Sequence, residues 1–166
     1  YQYHPLFKDF LLNRARGIFS PETLSMLQRR AGLLLEEAEE TEAAALLFRD
    51  ASHWDGLIRL ILKHASLMIS QGRNQTLIQW LNNIPNETRD NHPWLLYWMG
   101  ECKLHFNPSQ SRPFFEKAFD KFGSEGNRAG TFLSWSGVID SIWLDFSDFK
   151  QFDKWISIFE ELIHDF

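Results

Sequence analysis

The side chains with the most potential for chemistry in this chain lie between Asn91 and Phe106, in the stretch NHPWLLYWMGECKLHF. Cys102 and His105 are three residues apart, a spacing that places two side chains on one face of a helix. A structural zinc site needs about four such ligands. No His-Glu-x-x-His or Cys-x-x-Cys motif occurs in the sequence. We therefore expect no metal site, and interpret Cys102 and His105 as a packed or half-exposed pair.

Catalysis by Cys102 would need a neighbouring cation that stabilises the thiolate, and Lys103 points off its helical face. A cysteine beside aromatic residues is more often a small core residue. The carboxylates Glu36 and Glu39 lie in the polar run EEAEETE, which is typical of a solvated helix end. We therefore expect no catalytic residue, no cofactor bound by this segment, and a chain that is not an enzyme.

Five aromatic side chains are candidates for a ligand or partner groove: Trp94, Tyr97, Trp98, Trp135 and Trp143. Trp and Tyr rings stack on sugar rings and on apolar peptides, which favours a binding role. The alternative is that these residues form the core between helical repeats, because a buried Trp removes roughly 150–250 Å² from water. The sequence leaves both interpretations open.

Composition limits the class of protein. Apolar residues make up 44% and charged residues 23% of the chain, which is typical of a globular domain. The formal net charge of −5 comes without a cluster of Lys and Arg, so we expect no direct binding of nucleic acid. A single cysteine excludes an internal disulfide and favours a reducing, cytoplasmic location. The most apolar stretch, GLIRLILKHASLMI, is interrupted by charge and falls short of the ~20 apolar residues of a membrane span.

Helical periodicity dominates the chain, and no window alternates in the manner of a strand. One leading helix precedes four predicted helix pairs. The pairs are expected at about 21–51, 53–84, 93–123 and 127–166. This spacing is typical of tetratricopeptide-like repeats, in which each pair buries its apolar faces against the next. We therefore predict an all-α fold, a right-handed superhelix of about four such pairs.

The third pair shows the repeat pattern best. Gly100 stands where a tetratricopeptide helix carries a small residue that lets its partner approach, and Ala118 stands at the matching position of the second helix. Pro113 lies inside that second helix. Because a proline in a helix interior costs about 3 kcal/mol, we expect regular helix only from Pro113 onward.

Four segments resemble, in the right order, the MalT-like (LuxR-type) STAND signal-transduction ATPases. YQYHPLFKDFLLNRAR is similar to the end of their winged-helix region, and LQRRAGLLLEEAEETEAAALLFRDASHWDGLIRLI to their first repeat. LIQWLNNIP resembles the close of the second repeat, and NHPWLLYWMG the opening of the third. The resemblance covers roughly residues 1–122. It implies that residues 1–17 are the terminal helix of an upstream winged-helix region and residues 18–166 a tetratricopeptide-like domain, both part of a longer protein.

The resemblance also implies a function. Proteins of this family carry a P-loop ATPase, and often a DNA-binding domain, besides the superhelix. The P-loop motif is absent from this sequence, so ATP is expected only in an upstream domain. The segment would be a non-catalytic sensor and protein-interaction domain of a bacterial transcriptional regulator. Expected partners are another protein or its own ATPase domain, with a small-molecule inducer and self-association as further possibilities. The alternative is a scaffold that binds a partner protein and senses no small molecule.

Overall fold

A computed structural model describes residues 5–146 and 149–164, and within those ranges the chain is all-α, without strands. This confirms the predicted fold class. The described part contains ten helices: α1 (Pro5–Ile18), α2 (Pro21–Glu37), α3 (Thr41–Asp50), α4 (Trp54–Ser70), α5 (Asn74–Asn83), α6 (Asn86–Asp90), α7 (Pro93–Leu104), α8 (Pro108–Ser124), α9 (Arg128–Asp145) and α10 (Lys150–His164). No helix of the described chain is both long and apolar enough to cross a membrane.

Contacts between residues divide the chain into two compact units, Tyr1–Leu60 and Ile61–Phe166. In the first unit, α2 packs against α3 and α1 against α2. In the second unit, α7 packs against α8, α8 against α9, α9 against α10, and α7 directly against α9. Short connections make the successive helices antiparallel. Helices occur in each of the four stretches where a pair was predicted. The assignment of the leading helix to a winged-helix region stays a prediction.

Helix starts follow local sequence chemistry. The Ser20 side chain accepts a hydrogen bond from the Thr23 backbone N–H, which caps α2 as its sequence predicts. Asn107 does the same for α8 through the Gln110 backbone N–H. Prolines occupy the first helical position of both helices, where a missing N–H costs nothing.

The expected irregular entry to α8 is wrong, because α8 is helical from Pro108 and contains Pro113 in its interior. The physical reason is its position near the helix N-terminus on the solvent side. Proline removes the hydrogen bond to the carbonyl of Ser109, and both Ser109 and Pro113 are exposed. Water can therefore hydrate that carbonyl. A side-chain bond from Ser111 Oγ to the Pro108 carbonyl (2.7 Å) accompanies the first turn.

The core of the second unit is centred on Phe115, which is fully buried between two glycines. A Cβ atom at Gly100 would lie 2.7 Å from the ring, and one at Gly137 would lie 2.5 Å from it. The predicted role of Gly100 in the close approach of the partner helix is thereby confirmed. Gly100 on α7 and Gly137 on α9 have no side chain where they face α8, and the Phe115 ring occupies the space between them.

The same arrangement recurs in the first unit. Phe48 on α3 is fully buried, and Cβ atoms at Gly32 and Gly56 would lie 2.6 Å and 3.0 Å from its ring. A large aromatic residue on the second helix of a pair thus packs against glycines on the two adjacent first helices. This recurrence supports the interpretation of the chain as a series of similar helix pairs.

Polar contacts join the last three helices. The Arg112 guanidinium on α8 donates to Asp145 Oδ2 (3.1 Å) and Ser141 Oγ (3.2 Å) on α9, and to Gln151 Oε1 (3.0 Å) on α10. Arg112 and Asp145 are both largely shielded from solvent. This network fixes α9 and α10 relative to the Phe115-centred core.

Candidate functional site

One face of α7 carries the side chains that remain accessible above this core. Trp94, Trp98, Glu101 and His105 recur at intervals of three and four residues, so they lie on one side of the helix. We call this set the α7 face. Pro93 begins the helix, and Gly100 brings the opposite side of α7 onto Phe115. The contact of Gly100 with Phe115 therefore leaves Trp94 and Trp98 of the α7 face only partly buried.

Trp94 and Trp98 are half-buried and lie side by side. Their ring centroids are 6.5 Å apart, and the ring planes are inclined by 28°. The Trp94 ring packs edge-to-face on the buried Phe122 ring of α8, and the two ring centroids are 4.9 Å apart. Together with the exposed Leu62 of α4, the two indoles line an open pocket of about 270 Å³. The pocket is predominantly apolar, and its walls are fixed by the core.

Tyr97 supports this pocket from the core side. Its ring is 9% exposed and meets the rings of Trp94 and Trp98 at centroid distances of 5.8 Å and 5.0 Å. Burial raises the pKa of the phenol, as does the negative charge of Glu101. Tyr97 was one of the candidate groove residues, and the structure places it behind the indoles rather than in the pocket.

Two carboxyl groups belong to this region: Glu101 on the α7 face and Asp140 on the adjacent helix α9. Burial raises the pKa of Glu101 above its usual value, and the charge of Asp140 on α9 adds to this. A hydrogen bond from Tyr97 and the charge of His105 act in the opposite direction. Burial likewise raises the pKa of Asp140. The α7 face thus carries one carboxyl, Glu101, beside the two indoles, and Asp140 of α9 acts on it electrostatically.

Glu101 and Asp140 were not among the candidates drawn from the sequence. For Glu101 a signal existed, because it follows Trp98 by three residues and therefore lies on the same side of the helix. Asp140 belongs to the next helix pair, and no short-range pattern connects it with α7. Only the packing of α9 on α7 brings it close.

The two remaining aromatic candidates lie elsewhere. Trp135 joins α9 to α10: its Nε1–H donates to the Trp155 carbonyl (2.8 Å), and its ring stacks on Phe159 with centroids 4.3 Å apart. Trp143 is 59% exposed near the C-terminal end of α9, where it contacts Phe146. The structure thus brings together Trp94, Tyr97 and Trp98 but does not bring Trp135 or Trp143 to the pocket.

Cys102 lies on the buried side of α7. Its side chain is fully buried, and burial raises the pKa of the thiol to about 12. Within residues 5–146 and 149–164, no group of three or more potential metal ligands comes together. Cys102 is therefore a core residue in this structure.

We expect the Cys102 thiol to be almost inert towards a disulfide reagent in the native protein at pH 8. A thiol with a pKa of about 12 has about 10³-fold less thiolate at pH 8 than an ordinary cysteine, and burial blocks access as well. Release of thionitrobenzoate from Ellman's reagent, followed with and without urea, measures the difference. A Cys102→Ser variant gives the background. Equal rates in both conditions would contradict the burial of this side chain.

Comparison with known proteins identifies no relative of this chain. No protein-family model, no curated protein and no solved structure matches the chain. The resemblance to the MalT-like ATPases therefore rests on the sequence motifs alone. The functional conclusion depends on the site itself.

Proposed function

We propose that this chain is a non-catalytic recognition segment whose ligand or partner binds at the α7 face. The observation that carries the proposal is the pocket of Leu62, Trp94 and Trp98, in which two large aromatic rings that pack on the buried core stay accessible. Accessible tryptophans beside a few polar groups are typical of binding surfaces. The proposal needs no catalytic group.

We further propose that the segment belongs to a MalT-like regulatory ATPase and that binding at the α7 face is coupled to the state of that ATPase. In this scheme the repeats adopt two packing arrangements, and the ligand or partner binds one of them more tightly. ATP would be held by a different domain, and the output would be transcriptional activation. The motifs of the first three repeats support this proposal.

A second candidate function is a scaffold that binds a partner protein and senses no small molecule. The size of the pocket favours it. At about 270 Å³, the pocket is smaller than the roughly 300–1,000 Å³ that is usual for small-molecule sites. A pocket of this size accommodates one side chain of a partner more readily than a free ligand.

Tryptophan fluorescence tests the binding proposal. We expect a sugar, a nucleotide or a peptide in a mixed panel to change the emission of the wild-type protein in a saturable manner, because binding alters the solvent contact of Trp94 and Trp98. The change should disappear in Trp98→Ala and persist in Trp143→Ala, whose indole lies outside the pocket. Thermal unfolding of each variant verifies that it is folded.

Two results would count against these proposals separately. A response that survives Trp98→Ala would place binding elsewhere on the chain, and no response to any member of the panel would reject a recognition role. The regulatory scheme has its own test in the reading frame that encodes this chain. A frame without a P-loop sequence upstream would reject the ATPase and leave binding at the α7 face intact.

A further inference from the structure

We infer that the pocket of Leu62, Trp94 and Trp98 binds an arginine side chain of a partner protein, and that Glu101 and Asp140 attract its guanidinium. This inference rests on the proposed function, since it names the chemistry of the partner at the same site. It depends on three observations: the orientation of the indoles, the charges around them, and the size of the pocket.

The aromatic surface suits a planar cation. The ring planes of Trp94 and Trp98 are inclined by only 28° to each other, and the two indoles lie next to each other along one side of α7. A guanidinium stacks on an indole face, where it is attracted by the ring quadrupole and is less strongly hydrated than an ammonium. The aliphatic part of an arginine side chain would at the same time cover Leu62, which is exposed.

The charges at the site are complementary to a cation. Glu101 lies on the same side of α7 as Trp98, three residues further along, and the charge of Asp140 on α9 acts on it. The nearest basic residue in sequence, Lys103, is directed away, because its Nζ lies over the Phe114 ring at 5.8 Å from the centroid. His105, at the end of the α7 face, is the one basic group that acts on both carboxyls among the described residues.

Burial and mutual repulsion raise the pKa of Glu101, and burial raises that of Asp140. The charged form of either carboxyl would therefore be stabilised by a positive charge nearby. A guanidinium can donate to a carboxylate through two parallel N–H groups, which gives it more contact than an ammonium. Charge complementarity and ring stacking thus favour the same side chain.

The decisive experiment compares peptides that differ in one functional group, the guanidinium of arginine or the uncharged urea group of citrulline. A set of short peptides of mixed sequence, each with a central arginine, is titrated into the protein while tryptophan emission is recorded. The same peptides with citrulline in place of arginine are the matched controls, because citrulline keeps the shape and loses the charge. We expect at least one arginine peptide to bind about tenfold or more tightly than its citrulline counterpart. Its affinity should fall as salt is added.

Protein variants assign the effect to the site. Glu101→Gln should weaken the arginine peptide about tenfold and leave its citrulline counterpart almost unchanged. Asp120→Asn, an exposed carboxylate on α8, is the matched control and should have no effect. Trp98→Ala should weaken both peptides.

The outcomes separate the inference from the proposed function. Equal binding of arginine and citrulline peptides, or binding that is insensitive to Glu101→Gln, would overturn the inference. If a neutral sugar or an acidic peptide binds at Trp98 instead, the inference fails while the proposed function stands. If neither the arginine and citrulline peptides nor any member of the mixed panel changes the emission, both fail. A preference for lysine peptides over arginine peptides would also overturn the inference, since the ring-stacking step requires a planar cation.

Discussion

Replacing Phe115 with alanine is expected to lower the free energy of unfolding by about 3–5 kcal/mol. The ring is fully buried and fills the space that Gly100 and Gly137 leave between α7, α8 and α9. The backbones of α7 and α9 face the ring at the two glycines and cannot collapse easily into the space it leaves, so most of the cavity should persist. Urea denaturation followed by far-UV circular dichroism measures the change.

The matched control is Phe106→Ala. Phe106 lies two residues after the end of α7 and is 72% exposed, so its removal should change stability by no more than about 0.5 kcal/mol. A similar loss for both variants would show that the core of the second unit is not centred on Phe115. Because many domains are stable by only about 5–15 kcal/mol, the Phe115 variant is also expected to unfold at a distinctly lower temperature.

Adding a methyl group at Gly137 should destabilise the protein by about 1–3 kcal/mol. The new Cβ would lie 2.5 Å from the Phe115 ring, near its attachment point, so either the ring or α9 has to move. An alanine normally stabilises a helix relative to glycine by about 1 kcal/mol. Gly123→Ala on α8 shows that ordinary effect, since nothing lies within 4 Å of its new Cβ. Equilibrium unfolding of the two variants should therefore give changes of opposite sign.

A double-mutant cycle tests the cause of the Gly137 effect. In a Phe115→Leu background the ring is gone, so Gly137→Ala should cost clearly less than in the wild-type protein. An equal cost in both backgrounds would mean that the methyl group clashes with something other than Phe115. The assigned contact between α8 and α9 would then be incorrect.

Much of the fold follows from short-range signals in the sequence. Ser20 and Pro21 mark the start of α2, Pro93 marks that of α7, and apolar residues at helical spacing define the intervening segments. Gly100, a small residue in an otherwise bulky helix, indicates a close helix contact from the sequence alone. These features are predictable because a cap, a proline or a helical period depends on a few neighbouring residues.

The site was less predictable because it depends on contacts between helix pairs. Tyr97 and Trp98 are adjacent in sequence, yet one is buried and the other lines the pocket, according to how α7 is rotated by the contact of Gly100 with Phe115. The charge of Asp140 acts on Glu101 only because α9 packs on α7. A periodic pattern cannot specify that rotation to within one residue.

Pro113 illustrates the opposite error. A propensity argument treats every interior proline alike, whereas this one faces solvent near the start of α8, where water can satisfy the freed carbonyl. Exposure is a tertiary property, and the local sequence does not contain it.

The central claim is that the α7 face is the binding surface of this chain, and the most direct test is an NMR spectrum of the tryptophan indole N–H groups during titration with an arginine-containing peptide. Resonances are assigned by single Trp→Phe variants. We expect the Trp94 and Trp98 signals to shift together and saturate. Trp135, whose N–H is bonded to the Trp155 carbonyl, should stay in place. Saturable shifts at Trp143 or Trp135 without shifts at Trp94 and Trp98 would contradict the account.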